Sequence, residues 1–405
     1  MEPLKSSGEE QMILIKGGNV YRGDSLNEDI LIKDGKVAEI SKNILVTKEM
    51  TVIDAAGLIV APGLVDIHVH FREPGYEHKE DLLTGGAAAA AGGVTTCCCM
   101  PNTKPVADSK DIVEYITNET KRTPVKVLPV GAVTIGQQGR ELTDFDSLIK
   151  AGAVALSDDG ITIQSSEVLR SALQFANSKE YLIISHCEEE SLMVTRDVKL
   201  AAETGSRIHI AHVSLAEAVN TIRRAKSAGV MVTAEACPHH FSLTEEVVAD
   251  KGALAKMSPP LRTENDVAAV IQGLSDGTID AIATDHAPHS EAEKALPFDE
   301  APNGIIGLET SLALALTHLY HTGKLSMDKI LKLMSTNPAK IIKLNAGSIQ
   351  KGGVADIVIF DPNEEWIVDP TKFKSKARNT PYAGQKLRGK VKYTITKGKV
   401  IYSDK

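Results

Sequence analysis

The sequence predicts an α/β protein, a closed (β/α)8 TIM-like barrel carrying a small β-sandwich domain built from both chain ends. Three observations predict it. Eight short apolar runs alternate with helical stretches between residues 63 and 345. Hairpin-forming β segments occupy both ends of the chain. Metal-ligand side chains recur where the apolar runs finish, and barrel enzymes build their active sites at the C-terminal ends of their strands.

The ends come first. Residues 1–62 contain MILIKGGNVY, DILIKDGKVAEI and TVIDAAGLIV, with Gly-Gly and Asp-Gly as turn signals. Similar runs return within 346–405 as VADIVIF at 354–360 and KVKYTITKGKVIY at 390–402. Two β-rich ends around a different middle predict one composite sandwich. In the middle, 63–345, strands are expected at 64–70, 94–99, 125–131, 153–157, 181–186, 207–212, 230–235 and 279–285. Helices are expected at 80–91, 108–120, 165–178, 188–203 and 214–228, with a longer, less regular connection after the seventh strand. A doubly wound open sheet is the competing arrangement.

Composition narrows the function. A chain of 405 residues, 42% hydrophobic and 24% charged, buries a large core. A net charge of -8 without a dense basic run gives no footprint for nucleic acid, so a small-molecule substrate is expected. The polar start MEPLKSSGEEQM lacks the pattern of a signal peptide, and no apolar run reaches membrane-spanning length. Five cysteines without a CxxC, three of them adjacent (Cys97, Cys98, Cys99), read as reduced core residues in a cytoplasmic protein.

The segment DIHVHFREPG, 66–75, sets His68 and His70 two apart at the end of a strand, so both imidazoles point the same way. Asp159 in ALSDDG, His186 in LIISHC, His212 in IHIAHVS and Asp285 in AIATDHAPH end later strands. Strand parity turns Asp66, His68 and His70 toward the axis and Val65, Ile67 and Val69 toward the helices. It likewise turns Ala281, Ala283 and Asp285 inward, with Ile282 and Thr284 outward. Parity favours Asp159 over Asp158, although a turn role before Gly160 remains a competing reading. His209 is expected to face the helices, and His239 and His240 to pack a loop.

Imidazole and carboxylate together suit zinc or a similar divalent ion. Six ligands exceed the needs of one tetrahedral ion, and two ions bridged by Asp159 and a hydroxide would use them all. Asp285 would take the proton of the nucleophile and pass it to a leaving nitrogen. Arg72, Asn102 in MPNT and His289 form a carboxylate-binding trio, because a guanidinium forks onto a carboxylate. A salt bridge to Glu73 is the plainer role for Arg72. GGAAAAAGG at 85–93 lacks the ending of a phosphate loop and reads as close helix packing. LPFDEAPNGIIGLET, 296–310, reads as a substrate-covering loop.

DIHVHFREPG, GGVTTCCCMPNT, ALSDDG, SHCEEESL, HIAHVS, VTAEACPHH, MSPPLR and ATDHAPHSEAEK, in that order, closely resemble the dihydroorotase family of the amidohydrolase superfamily. The resemblance spans essentially the whole chain. It implies a zinc-dependent barrel that interconverts dihydroorotate and N-carbamoyl-aspartate in pyrimidine synthesis. It further implies His68, His70 and Asp285 on one zinc, His186 and His212 on the other, and Asp159 between them. Arg72, Asn102 and His289 would hold the substrate carboxylate, with His70, Ser258, Asn303 and Gly304 also at the substrate.

Three departures stand out. Many superfamily members bridge their metals with a carboxylated lysine, where LSDDG offers only Asp. The familiar MNPPLR appears as MSPPLR, placing Ser258 where an amide is common. Only 25 residues separate His186 from His212, where many bacterial relatives carry a longer insertion. The competing functions are a hydantoinase or allantoinase, which need not keep the Arg72, Asn102 and His289 trio, and a catalytically silent scaffold for aspartate transcarbamoylase, which would have lost ligands. A homodimer is the expected assembly, with aspartate transcarbamoylase as a further partner.

Overall fold

Residues 12–22 and 25–404 are described by a computed structural model; most of the polar N-terminal segment, up to residue 11, lies outside the described residues. Five strands open the chain: β1 (Met12–Tyr21), β2 (Ser25–Lys33), β3 (Lys36–Ser41), β4 (Met50–Asp54) and β5 (Ile59–Pro62). The barrel strands follow as β6 (Leu64–Val69), β7 (Val94–Cys99), β8 (Lys126–Pro129), β9 (Leu156–Ser157), β10 (Ile183–Ser185), β11 (Ile208–Ile210), β12 (Val232–Ala236) and β13 (Ala281–Ile282). After the last barrel helices the chain returns to β14 (Ile357–Ile367), β15 (Lys386–Thr396) and β16 (Lys399–Ser403).

The two ends share one sheet. Its order is β16-β15-β14-β5-β1-β2-β3, with β4 added alongside β1. Alternation along β14 explains how this sheet joins the barrel, because successive strand residues face opposite ways. Ile357 and Ile359 enter an apolar cluster with Ile13, Ile15, Ile30 and Ile395. Val358 and Phe360 enter the large cluster that also holds the barrel's helix-facing residues.

The barrel strands form a parallel three-stranded set, β6-β7-β8, and a five-stranded set, β9 through β13. Two seams close them. Gly131 bridges Leu156 between the sets, and Val69 bridges His286 just after β13. Closure removes the open-sheet alternative. Between the strands run helices Leu82–Ala91, Lys110–Glu119, Ser166–Lys179, Glu190–Thr204 and Ala216–Ser227, near the expected bounds. The Gly-rich stretch does pack closely: a Cβ on Gly85 would lie 2.4 Å from the Phe71 ring. The short connection after β10 is a complete crossover, in which Gly205 at φ 63 ends the helix and turns the chain into β11.

Two face assignments need correction. Val65 and Ile67 do not face the helices; they pack with Cys98, Ile184, Ala281 and Ala283, the inward residues of other strands. β6 is irregular against β7, with register shifts between Leu64 and Val65 and between Asp66 and Val69, and such irregularities break the simple alternation of faces. His209 also faces inward, because its neighbours Ile208 and Ile210 occupy the helix-side core. Its parity relation to His212 fails because His212 has left the strand at φ 36. Asp285 (φ 49) and Arg72 (φ 64) leave the extended conformation in the same way, which is why the strands end earlier than hydrophobicity suggests.

Phe360, fully buried, links the composite sheet to the barrel's helix-side core. Replacing it with Ala is expected to cost about 3–5 kcal/mol of stability, measured by denaturant unfolding. A loss under about 1 kcal/mol would mean that the two parts do not depend on this contact.

Candidate active site

The strand ends bring six expected ligands together. Asp159 sits at the centre: one carboxylate oxygen lies 3.2 Å from His68 Nε2, 3.3 Å from His186 Nδ1 and 3.6 Å from His212 Nε2. The other lies 3.4 Å from His70 Nε2. Asp285 approaches His70 Nε2 at 2.9 Å and His68 Nε2 at 3.6 Å. His186 Nδ1 and His212 Nε2 face each other at 2.7 Å. Asp158 points elsewhere, accepting hydrogen bonds from the Val133 and Thr134 amides and the Thr134 hydroxyl.

The histidine protons are tied down from behind. His68 Nδ1 donates to Glu235 at 2.5 Å, and His70 Nδ1 donates to the Asn102 side-chain oxygen at 2.8 Å. Each ring therefore presents Nε2 to carboxylates. Two carboxylates converging on these imidazole edges call for positive charge there, which a cation supplies. His68 Nε2 and one Asp159 oxygen are buried without any hydrogen-bond partner. This donor set fits a divalent metal, with His68, His70 and Asp285 forming one compact group and His68, Asp159 and His212 another.

Charge supports the same fit. Burial alone would raise the pKa of Asp159, but His68, His186 and His212 outweigh it and hold the carboxyl well below its usual range. Burial also opposes ionisation of Asp285, and His70 and His68 again prevail. Burial would lower the pKa of His68, yet Asp159 and Glu235 push it well above the ordinary value. Glu235, resisting its own burial with help from His68 and His209, falls to about 2.

A cavity of about 190 Å³ opens over this cluster, lined by His70, Arg72, Asn102, Ser258, His289, Asn303 and Gly304 among others. Larger clefts of about 490 and 550 Å³ lie elsewhere and contain no histidine. Chemistry, not volume, locates the site. Arg72 is held by an Nε hydrogen bond to the Pro288 carbonyl at 3.2 Å, leaving other guanidinium donors for a ligand. It does not pair with Glu73, whose carboxylate takes Arg122 and the Leu82 amide instead. His289 donates from Nε2 to the Asn303 carbonyl at 2.8 Å; burial, then Arg72 and Lys79, lower its pKa to about 3, so it is neutral.

Three supporting residues escaped the sequence reading. Glu235 joins His68 to His209, which approaches it at 3.0 Å. Asn379, from the segment before β15, donates to the Ala287 and Gly304 carbonyls and accepts from the His289 amide. Lys294 is buried against backbone carbonyls. Only the VTAEACPHH stretch, 232–240, on an inward strand end hinted at Glu235. His239 and His240 lie on the short helix Pro238–Ser242, where His240 Nε2 donates to the Pro259 carbonyl at 3.1 Å.

The model of the amidohydrolase family matches residues 59–401. The chain belongs to this family. It is 46% identical to a dihydroorotase of Acetivibrio thermocellus over 424 aligned residues, covering 97% of this chain and 99% of that relative. It is 47% identical to a dihydroorotase of Caldanaerobacter subterraneus subsp. tengcongensis, covering 96% and 97%. Among solved structures, the L-hydantoinase (dihydropyrimidinase) from Arthrobacter aurescens matches with a TM-score of 0.90 at 26% identity, covering 96% of each chain. A dihydropyrimidinase from Brevibacillus agri NCHU1002 matches at 0.87 and 23% identity over 97% and 95%, a likeness of fold.

Asp159→Asn is expected to abolish stable metal retention after dialysis, whereas Asp158→Asn should retain the ion; elemental analysis decides between them. Glu235→Gln should weaken metal binding by roughly 10–100-fold, read by chelator competition. Equal metal affinity in Glu235→Gln and the unaltered protein would remove Glu235 from the site.

Proposed function

We propose that the chain hydrolyses the ring amide of dihydroorotate reversibly to N-carbamoyl-aspartate, as a dihydroorotase of pyrimidine synthesis. The observation that carries this reading is Arg72 in the same small cavity as the His and Asp cluster. A guanidinium is the group that recognises the carboxylate distinguishing this ring from uncharged cyclic amides. The near full-length identity to dihydroorotases agrees with it.

The six clustered side chains would hold a divalent metal, for which we favour zinc, two ions per site with Asp159 between them. Such an ion supplies Lewis acidity to the amide carbonyl and to the attacking water. The chain's own residues do the rest. Arg72 binds the substrate carboxylate, with Asn102 offering its side-chain N–H because its oxygen is occupied by His70. Asp285, held ionised, accepts a proton from the water as the new C–O bond forms. It returns that proton to the ring nitrogen as the C–N bond breaks, so the proton balance closes within one side chain.

The hydantoinase reading draws on the shared fold but leaves Arg72 without a partner. The silent-scaffold reading is disfavoured because all six ligand positions carry competent side chains that converge. A homodimer, with an aspartate transcarbamoylase as further partner, is the assembly we favour. The five cysteines are buried and unpaired, which suits the reducing cytoplasm. Among the described residues no helix is long and apolar enough to cross a membrane.

Metal-reconstituted protein is expected to hydrolyse dihydroorotate, and Asp285→Asn to reduce kcat by about 10²–10⁴-fold. Arg72→Met should raise KM for dihydroorotate by roughly ten- to a hundredfold, the worth of hydrogen bonds to a charged group. Dihydrouracil, which lacks the carboxylate, should be a poor substrate for both. Preference for dihydrouracil over dihydroorotate in the unaltered protein would overturn the assignment.

A further inference from the structure

Residues 296–304 contain no helix or strand, yet they deliver Asn303 and Gly304 to the cavity. A segment without a ladder must satisfy its carbonyls some other way. Two lysines do so here. Lys294 closes the short helix Glu291–Lys294, which begins with a capping box between Ser290 and Glu293. Its Nζ donates to the carbonyls of Pro302 at 2.9 Å, Gly304 at 3.0 Å and Lys256 at 3.3 Å. Lys256 Nζ donates to the carbonyls of Phe298 at 2.6 Å, Ala301 at 2.7 Å and Asp299 at 3.2 Å. The Lys256 carbonyl also receives the Gly304 amide at 2.9 Å.

This arrangement is unusual for lysine. Lys294 is 6% exposed and has no carboxylate partner among the described residues; burial and the like charge of Lys256 lower its pKa to about 8. Its ammonium therefore still predominates at neutral pH. An ammonium carries three donors, which one neutral side chain of this length cannot match. Neither lysine lines the cavity. Gly304, meanwhile, has φ +122, and a Cβ there would meet Ala287 at 2.6 Å, so the chain has little room to settle differently.

We infer that Lys294 and Lys256 are positioning residues that lock residues 298–304 in the conformation presenting Asn303 and Gly304 to the substrate ring, an inference that rests on the dihydroorotase reading for the identity of that substrate. Binding of the ring then depends on two ammonium groups that never touch it. The charge transfer of the reaction does not pass through them, so their loss acts on affinity rather than on turnover.

The test compares Lys294→Met and Lys256→Met with the unaltered metal-loaded enzyme in two measurements. In steady-state kinetics, KM for dihydroorotate should rise by about tenfold or more while kcat stays within about threefold, since hydrogen bonds to a charged donor are lost but the proton-transfer groups are not. In hydrogen exchange read by mass spectrometry, peptides covering 298–306 should exchange faster while the barrel strands are unchanged. Unchanged KM and unchanged exchange in both variants would overturn the inference, and so would a fall in kcat at constant KM. Should Lys294→Met fail to fold, the half-buried Lys256→Met decides alone. Absence of turnover in the unaltered enzyme would sink the dihydroorotase reading, and the exchange comparison would still decide whether the lysines lock the segment.

Discussion

The arrangement at the barrel rim depends on two ionised carboxylates, Asp159 and Asp285, buried against the Nε2 edges of His68 and His70. Buried charge is tolerated only when it is compensated. Glu235 and Asn102 hold the Nδ1 hydrogens on the opposite side of each ring, so the Nε2 edges are left to face the carboxylates. A metal ion resolves the conflict, and the second layer decides where the lone pairs point before any ion arrives.

That second layer explains the rest of the architecture. Glu235 is itself braced by His209, which extends the polar network one strand further around the interior. On the outer side, Asn379 ties the Ala287 and Gly304 carbonyls to the His289 amide, so the segment leading into the composite sheet braces three residues of the cavity wall. The β14 strand anchors that sheet by placing Phe360 in the barrel's outer core. The sheet built from both chain ends therefore has a mechanical relation to the site, although its strands contribute no ligand.

Much of this was legible in the sequence, for reasons that can be named. HxH, the later strand-ending histidines and Asp285 combine residue type with position in a repeating strand-helix pattern, which leaves few alternatives. Side-chain direction was less legible. Parity misassigned Val65 and Ile67 because β6 shifts register against β7 both between Leu64 and Val65 and between Asp66 and Val69, and it misassigned His209 because His212 lies outside the strand at φ 36. Asp158 and Asp159 differ only in the loop that faces each, and the Thr134 amide and hydroxyl that capture Asp158 are 24 residues away in sequence. Lys294 and Asn379 were not legible at all: their partners are backbone carbonyls and amides, which carry no sequence signature.

The solved hydantoinases share this barrel almost throughout at about a quarter sequence identity, whereas the dihydroorotases share nearly half of the residues. A fold common to both cannot choose between their substrates. The choice must sit in groups that face the ring and its substituents rather than the scissile bond. On the proposed dihydroorotase reading those groups would be Arg72, steadied by the Pro288 carbonyl, and the 298–304 segment that carries Asn303 and Gly304 to the cavity. The clustered His and Asp side chains, at or just beyond the strand ends, would serve any cyclic amide. Specificity would rest instead on Arg72 in its left-handed turn and on a ladderless loop, and such elements hold a single geometry only when other groups brace them.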